Sequence, residues 1–222
     1  MNIFVTGGTG YIGRPLIERL VEDGHTVRAL TRQRSAINLP PGCVPIVGDA
    51  LNAESYECKV APSDTFVHLV GTAHPGPGKA QQFREIDLKS IEAAVTAARS
   101  ANVRRFVYVS VAHPAPVMQP YINVRMRGEQ LIRDGGFDAT ILRPWYVLGP
   151  GHWWPYALLP FYAVMEAIPS TRASARRLGL VKHAEMVQAL RSAVEHPVAG
   201  VEILEVEEIR RRGQNRIGGR GL

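Results

Sequence analysis

The strand-like run Ile3-Phe4-Val5 leads into Thr6-Gly7-Gly8-Thr9-Gly10-Tyr11-Ile12-Gly13, and a helix follows at once. Glycines at 7, 10 and 13 allow a tight turn, close approach of backbone to a pyrophosphate, and contact between helix and strand. The helix start adds N–H donors and a partial positive charge, so the segment predicts a dinucleotide site. The second strand ends in Thr31-Arg32-Gln33-Arg34-Ser35. No carboxylate stands there to repel a 2′-phosphate, and Arg32 and Arg34 can bind one through charge-assisted hydrogen bonds. Arg14, just after the third glycine, reinforces the choice. NADP(H) is therefore the expected cofactor and NAD(H) the second.

Positioning these groups requires a scaffold, and β-branched and aromatic runs supply it at residues 2–6, 26–31, 44–47, 65–70, 105–110 and 139–143. Helical patterns fall between most of them. Residues 11–23 place Ile12, Leu16 and Leu20 on one face and stop at Gly24. Residues 87–102 are alanine-rich, with Ile91 and Val95 four apart, and 121–134 repeat the pattern with Val124, Gly128, Leu131 and Ile132. A helix at 184–195 and a strand at 201–205 close the series. This alternation predicts an α/β fold, a doubly wound parallel sheet with helices on both faces. Seven of the aromatic residues lie in the proline-punctuated stretch 145–162, which predicts an apolar wall over the carboxyl edge of the sheet.

Charge and cysteine content narrow the function classes. Lys and Arg number 26 against 20 acids. Arg210, Arg211, Arg212, Arg216 and Arg220 all fall in the acid-free stretch 209–222, so the rest is nearly balanced. One domain over 1–208 is expected, with 144–205 forming a small substrate-side region and 209–222 a disordered basic end. Nucleic acid and stable membrane insertion are not expected partners. Cys43 and Cys58 form no CxxC, so no metal site is predicted and a reducing, cytoplasmic setting is expected.

Taken together these motifs resemble the short-chain dehydrogenase/reductase superfamily in its extended and atypical branches, with a Rossmann fold. Thr6 to Gly13 is similar to the TGxxGxxG pattern. Leu142-Arg143-Pro144 followed by Val147-Leu148-Gly149-Pro150-Gly151 is similar to the RPxxVxGPG segment that flanks nicotinamide. The likeness extends over roughly residues 1–205. It implies cofactor contacts from Gly7, Thr9, Gly10, Tyr11, Ile12, Gly13, Arg14, Arg32, Arg34 and Ser35. It also implies Gly48, Asp49 and Ala50 at the adenine, Leu69, Val70 and Gly71 at the ribose, and Pro144 at the nicotinamide. Asp49 capping a turn is the competing reading, and His68, inside an apolar strand, reads as a core residue.

In that superfamily a Tyr and a Lys four residues later move the proton, helped by a Ser or Thr beyond the fifth strand. The resemblance carries these roles to Tyr121, Arg125 and Ser110, with arginine in the lysine position. Spacing four puts Tyr121 and Arg125 on one helical face, where a cation favours the phenolate. Arginine supplies the charge without reproducing an ammonium. His113 is a substitute donor, and Trp145, His152, Trp153 and Trp154 are expected at the substrate. Only about residues 144–205 remain for substrate binding, so the nucleotide-sugar chemistry of epimerases with large substrate domains is not expected. The expected function is an NADP-dependent oxidoreductase acting on a small, apolar carbonyl, alcohol or related molecule, as a monomer or small homo-oligomer. The alternative is a non-catalytic NAD(P)H-binding sensor or accessory module, resembling NmrA-like sensors and a respiratory complex I subunit.

Overall fold

A computed structural model of the chain describes residues 1–149 and 177–214. Seven parallel strands form the main sheet: β1 (Asn2–Thr6), β2 (Thr26–Thr31), β3 (Val44–Val47), β4 (Thr65–His68), β5 (Arg105–Val109), β6 (Asp138–Leu142) and, beyond a two-stranded sheet, β9 (Val201–Leu204). Their order is β3-β2-β1-β4-β5-β6-β9. The chain therefore runs outward from β1 on one side, then returns to start again at β4. That reversal opens a crevice at the carboxyl ends of β1 and β4, where Thr6 pairs with His68.

Alternation along the strands divides the core between two faces. Ile3 and Val5 join Leu16, Ile17 and Leu20 of α1 (Gly13–Glu22) and Met186 and Leu190 of α4 (His183–Glu195). Phe4 faces the other way, in register with Phe66 and then Phe106 on the neighbouring strands. The Phe66 and Phe106 rings stack with centroids 5.2 Å apart. Ala94, Ala97 and Ala98 of α2 (Lys89–Ser100) lie in the same layer, because only small side chains let a helix sit close over a row of phenylalanines. Ile132 of α3 (Gln119–Asp134) completes that layer.

Two features correct the sequence expectations. A second parallel sheet, β7 (Tyr146–Leu148) with β8 (Leu180–Lys182), was not foreseen, since three-residue strands carry too little alternation to be read. The chain beyond 208 is also not wholly a solvated end, because α5 (Val206–Gln214) runs through that boundary. Val206 and Ile209 are fully buried. Arg210 donates to the Leu180 carbonyl at 2.8 Å, and Arg212 pairs with Glu202 and Glu208. Arginines that read as free charge are thus neutralised by acids upstream. Arg216 and Arg220 lie outside the described residues, as do His152, Trp153, Trp154 and most of the aromatic stretch.

Candidate active site

The crevice is shaped first by backbone contact. Gly7 has φ +78°, and a Cβ there would meet the Leu69 carbonyl carbon at 2.7 Å. A Cβ on Gly13 would strike the Gly7 carbonyl oxygen. The loop closes on itself through Gly10 N to Gly7 O at 3.0 Å and Arg14 N to Gly10 O at 3.1 Å. Among the described residues the Ile12 and Gly13 N–H groups have no backbone acceptor. Two orphan donors at a helix start, beside exposed Thr9 and Gly10, are the chemistry a pyrophosphate requires.

Farther along the edge, Arg32, Gln33, Arg34 and Ser35 line an open cleft of about 670 Å³. Both arginines are exposed. Arg14 is less available than expected, because its Nε pairs with Glu18 one turn along α1 at 3.3 Å. Asp49 caps a turn: its Oδ1 accepts from Leu51 N at 3.0 Å, and its own N–H donates to Ser55 Oγ at 2.8 Å.

The expected proton-transfer pair does come together. The Arg125 guanidinium lies 5.1 Å from the Tyr121 ring centre, and Phe83 packs on that ring at 4.9 Å. Tyr121 is half-buried and shares an apolar cluster with Val111, Ala115, Ile122 and Trp145. Arg125 itself is buried. Its Nη2 meets Asp87 Oδ1 at 2.5 Å, and Nη1 donates to the Val109 carbonyl at 3.1 Å. The other Asp87 oxygen accepts from the Thr72 N–H and hydroxyl. Burial works against the Arg125 charge, but the Tyr121 and Tyr108 phenols and Asp87 more than offset it, so the guanidinium stays protonated. Gly71 lies directly against it. His68 is a core residue as expected. Burial, aided by the Arg125 charge, drives its pKa down to about 3, and its Nδ1 hydrogen-bonds Thr6 Oγ1 at 2.8 Å.

Ser110 departs from its expected role. Its hydroxyl donates to Glu129 Oε1 at 2.6 Å. Glu129 is also gripped by Arg143 through Nε at 2.9 Å and Nη2 at 2.5 Å, and Arg143 reaches Glu205 at 2.9 Å. His113 Nε2 stands 3.5 Å from the same Glu129 oxygen. The serine is therefore bound into a buried ionic cluster joining β5, α3, β6 and the end of β9. Pro144 contributes its carbonyl, which accepts from Ala112 N at 3.0 Å and so holds the loop after β5. Sequence reasoning missed Asp87, Glu129 and Glu205. The available signal was that buried arginines in motifs need counter-charges.

The Glu129 cluster predicts acid sensitivity. Burial raises the carboxyl pKa, but hydrogen bonds from Arg143 and Ser110 and the nearby positive charge pull it below the usual value. A depressed folded-state pKa stabilises fully above the unfolded value near 4.5 and is lost as pH falls through the folded one. Glu129→Gln should therefore lower the unfolding midpoint at neutral pH. The gap to the native chain should narrow below pH ~4 and be read by denaturant titration at both pH values. An equal gap at both would remove the argument.

A parallel sheet with its crevice at the strand reversal, orphan helix-start donors and a nearby pair of arginines defines a dinucleotide-binding α/β protein. Residues 7–150 match the NAD(P)H-binding family, and the chain belongs to it. It is 30% identical over 171 residues to 4-hydroxy-2-methyl-3-oxo-4-farnesyl-3,4-dihydroquinoline-1-oxide ketoreductase of Stigmatella aurantiaca, covering 67% of this chain and 51% of that enzyme. It is 26% identical over 147 residues to the photosystem II assembly factor Ycf39 of Cyanophora paradoxa, covering 64% of this chain and 44% of the factor. The chain thus spans about half the length of these curated relatives. A short-chain dehydrogenase/reductase superfamily protein from Agrobacterium tumefaciens with bound NAD superposes with a TM-score of 0.67 at 20% identity, over 92% of this chain and 77% of that one. The fold is that of this superfamily.

Proposed function

We propose that the chain is an NADP(H)-dependent oxidoreductase for a small, apolar carbonyl, alcohol or related substrate. The observation that carries this reading is Tyr121: half-buried, with Phe83 packed on its ring and the Arg125 guanidinium over it, and lodged with Trp145 in an apolar cluster. When bound, the nicotinamide supplies or takes the hydride. The protein's own residues do the rest. Ile12 and Gly13 N–H groups hold the pyrophosphate, and Arg32 and Arg34 hold the 2′-phosphate. The Tyr121 hydroxyl gives its proton to the carbonyl oxygen in the reducing direction, with Arg125 as the fixed cation beside it. Steady loss of NADPH absorbance with a panel of apolar ketones and aldehydes tests the proposal.

Cofactor choice is checked separately. Each charge-assisted hydrogen bond contributes about 1.5–3 kcal/mol, so NADP(H) should bind at least roughly tenfold tighter than NAD(H) by calorimetry. Arg32→Glu should reverse that order; equal affinities in the native chain would end the argument. A reducing cytoplasm suits the two free cysteines, and burial pushes the Cys43 thiol up to about 11, away from redox chemistry. No helix among the described residues is long and apolar enough to cross a membrane.

One geometric fact favours a second reading, a cofactor-binding module without turnover. Both Arg125 Nη groups are engaged by protein acceptors, and the Ser110 hydroxyl is held by Glu129. Tight NADPH binding with no consumption across the whole panel selects that reading.

A further inference from the structure

The glycine loop ahead of the first helix is tied to a distant part of the chain. Tyr11 stands two residues ahead of α1, outside the helical ladder, whose first acceptor is the Ile12 carbonyl bonded by Leu16 N. The Tyr11 oxygen lies 2.8 Å from His183 Nε2, 172 residues away in sequence. A carbonyl only accepts, so Nε2 carries the proton. The imidazole also packs on the Tyr11 ring, with centroids 4.2 Å apart.

His183 is held in place for this. It opens α4 directly after β8, and that helix start is fixed by Lys182 N donating to Glu185 Oε2 at 2.9 Å. Gly149, just after β7, completes the contact. A Cβ there would collide with the Tyr11 hydroxyl and lie 2.7 Å from His183 Cβ. The loop residue Tyr11 is therefore clasped by groups at the ends of both strands of the small sheet. These strands bracket the aromatic stretch read as the substrate side.

We propose that His183 is a positioning residue for the pyrophosphate loop, coupling nucleotide binding to the substrate-side strands β7 and β8. This rests on the nucleotide reading given above. The orphan donors of Ile12 and Gly13 follow Tyr11 directly, so fixing its carbonyl fixes their direction. Without the imidazole N–H, the peptide unit that carries the Ile12 donor loses this tie to the start of α4.

NADPH and 2′-AMP titrations, followed by nucleotide fluorescence and calorimetry, separate this role from a general loss of structure. 2′-AMP carries the adenine and 2′-phosphate but no pyrophosphate. His183→Ala should weaken NADPH about tenfold and leave 2′-AMP within about twofold. His183→Gln, whose amide can donate to the same carbonyl, should recover NADPH to within about threefold. Gly149→Ala should reproduce the loss selective for NADPH. Native NADPH affinity in His183→Ala, equal loss of both ligands, or a glutamine variant no better than alanine would each overturn the inference. Failure of the native chain to bind NADPH would instead strike the nucleotide reading itself, and this inference with it.

Discussion

Tyr121→Phe is expected to cut turnover by about two to four orders of magnitude while NADPH affinity stays within about twofold, the usual size of a general-acid contribution. The substitution removes one oxygen and keeps the ring against Phe83 and Arg125, so packing and the cation–ring contact survive. Thermal stability should therefore be close to native, which separates loss of the proton from loss of the fold. Arg125→Ala should damage binding and turnover together, since it leaves Asp87 buried without its counter-ion, held only by the Thr72 donors. Arg125→Lys keeps a partner for Asp87 but gives up the second donor, now bound to the Val109 carbonyl, so activity should persist. Undiminished turnover in the phenylalanine variant would sink the mechanism. No turnover in the native chain, with NADPH tightly bound, would turn the conclusion to the cofactor-binding module.

What could be read from the sequence was what local sterics and periodicity encode. Gly7 and Gly13 are visible because a positive φ and a backbone contact exclude any Cβ, and such constraints leave glycine as their mark. The strands of the main sheet and the alanine-rich α2 are visible because burial on a sheet imposes a period and a size. Pairings between distant elements left no such mark. Arg125 reads as a cation four residues from a tyrosine, but its partner Asp87 lies 38 residues upstream. Ser110 fits a motif position, yet Glu129, 19 residues on, takes its hydroxyl. Helix α5 was hidden because its buried positions, Val206, Ile209 and Gly213, are interleaved with arginines that pair with Glu208 within the helix and with Glu202 on β9. The tie between Tyr11 and His183 left no mark either, since the two lie 172 residues apart.

Asp87→Ala should be the most destabilising single change at the site. The carboxylate is fully buried, its partner Arg125 has a side chain only 6% exposed, and three donors converge on the two oxygens: Arg125 Nη2, Thr72 N and the Thr72 hydroxyl. Removing the acid leaves a buried guanidinium without its counter-ion, a change that costs about 3–5 kcal/mol and lowers the unfolding midpoint by roughly 6–20 °C in a chain of this size. Asp87→Asn retains an acceptor oxygen but no charge, so its loss should be smaller. The double variant Asp87→Ala/Arg125→Leu removes the stranded charge and should recover part of the stability, giving a coupling energy of opposite sign to the single losses. Turnover of Asp87→Asn should fall more than NADPH affinity, because the guanidinium beneath Tyr121 loses its strongest anchor while the glycine loop and the Arg32 and Arg34 cleft are untouched. Thermal unfolding of the three variants and NADPH titration of the asparagine form decide the matter. A native midpoint in Asp87→Ala would mean that water or a shifted side chain replaces the carboxylate, and the claim that this buried pair fixes Arg125 beneath Tyr121 would fall.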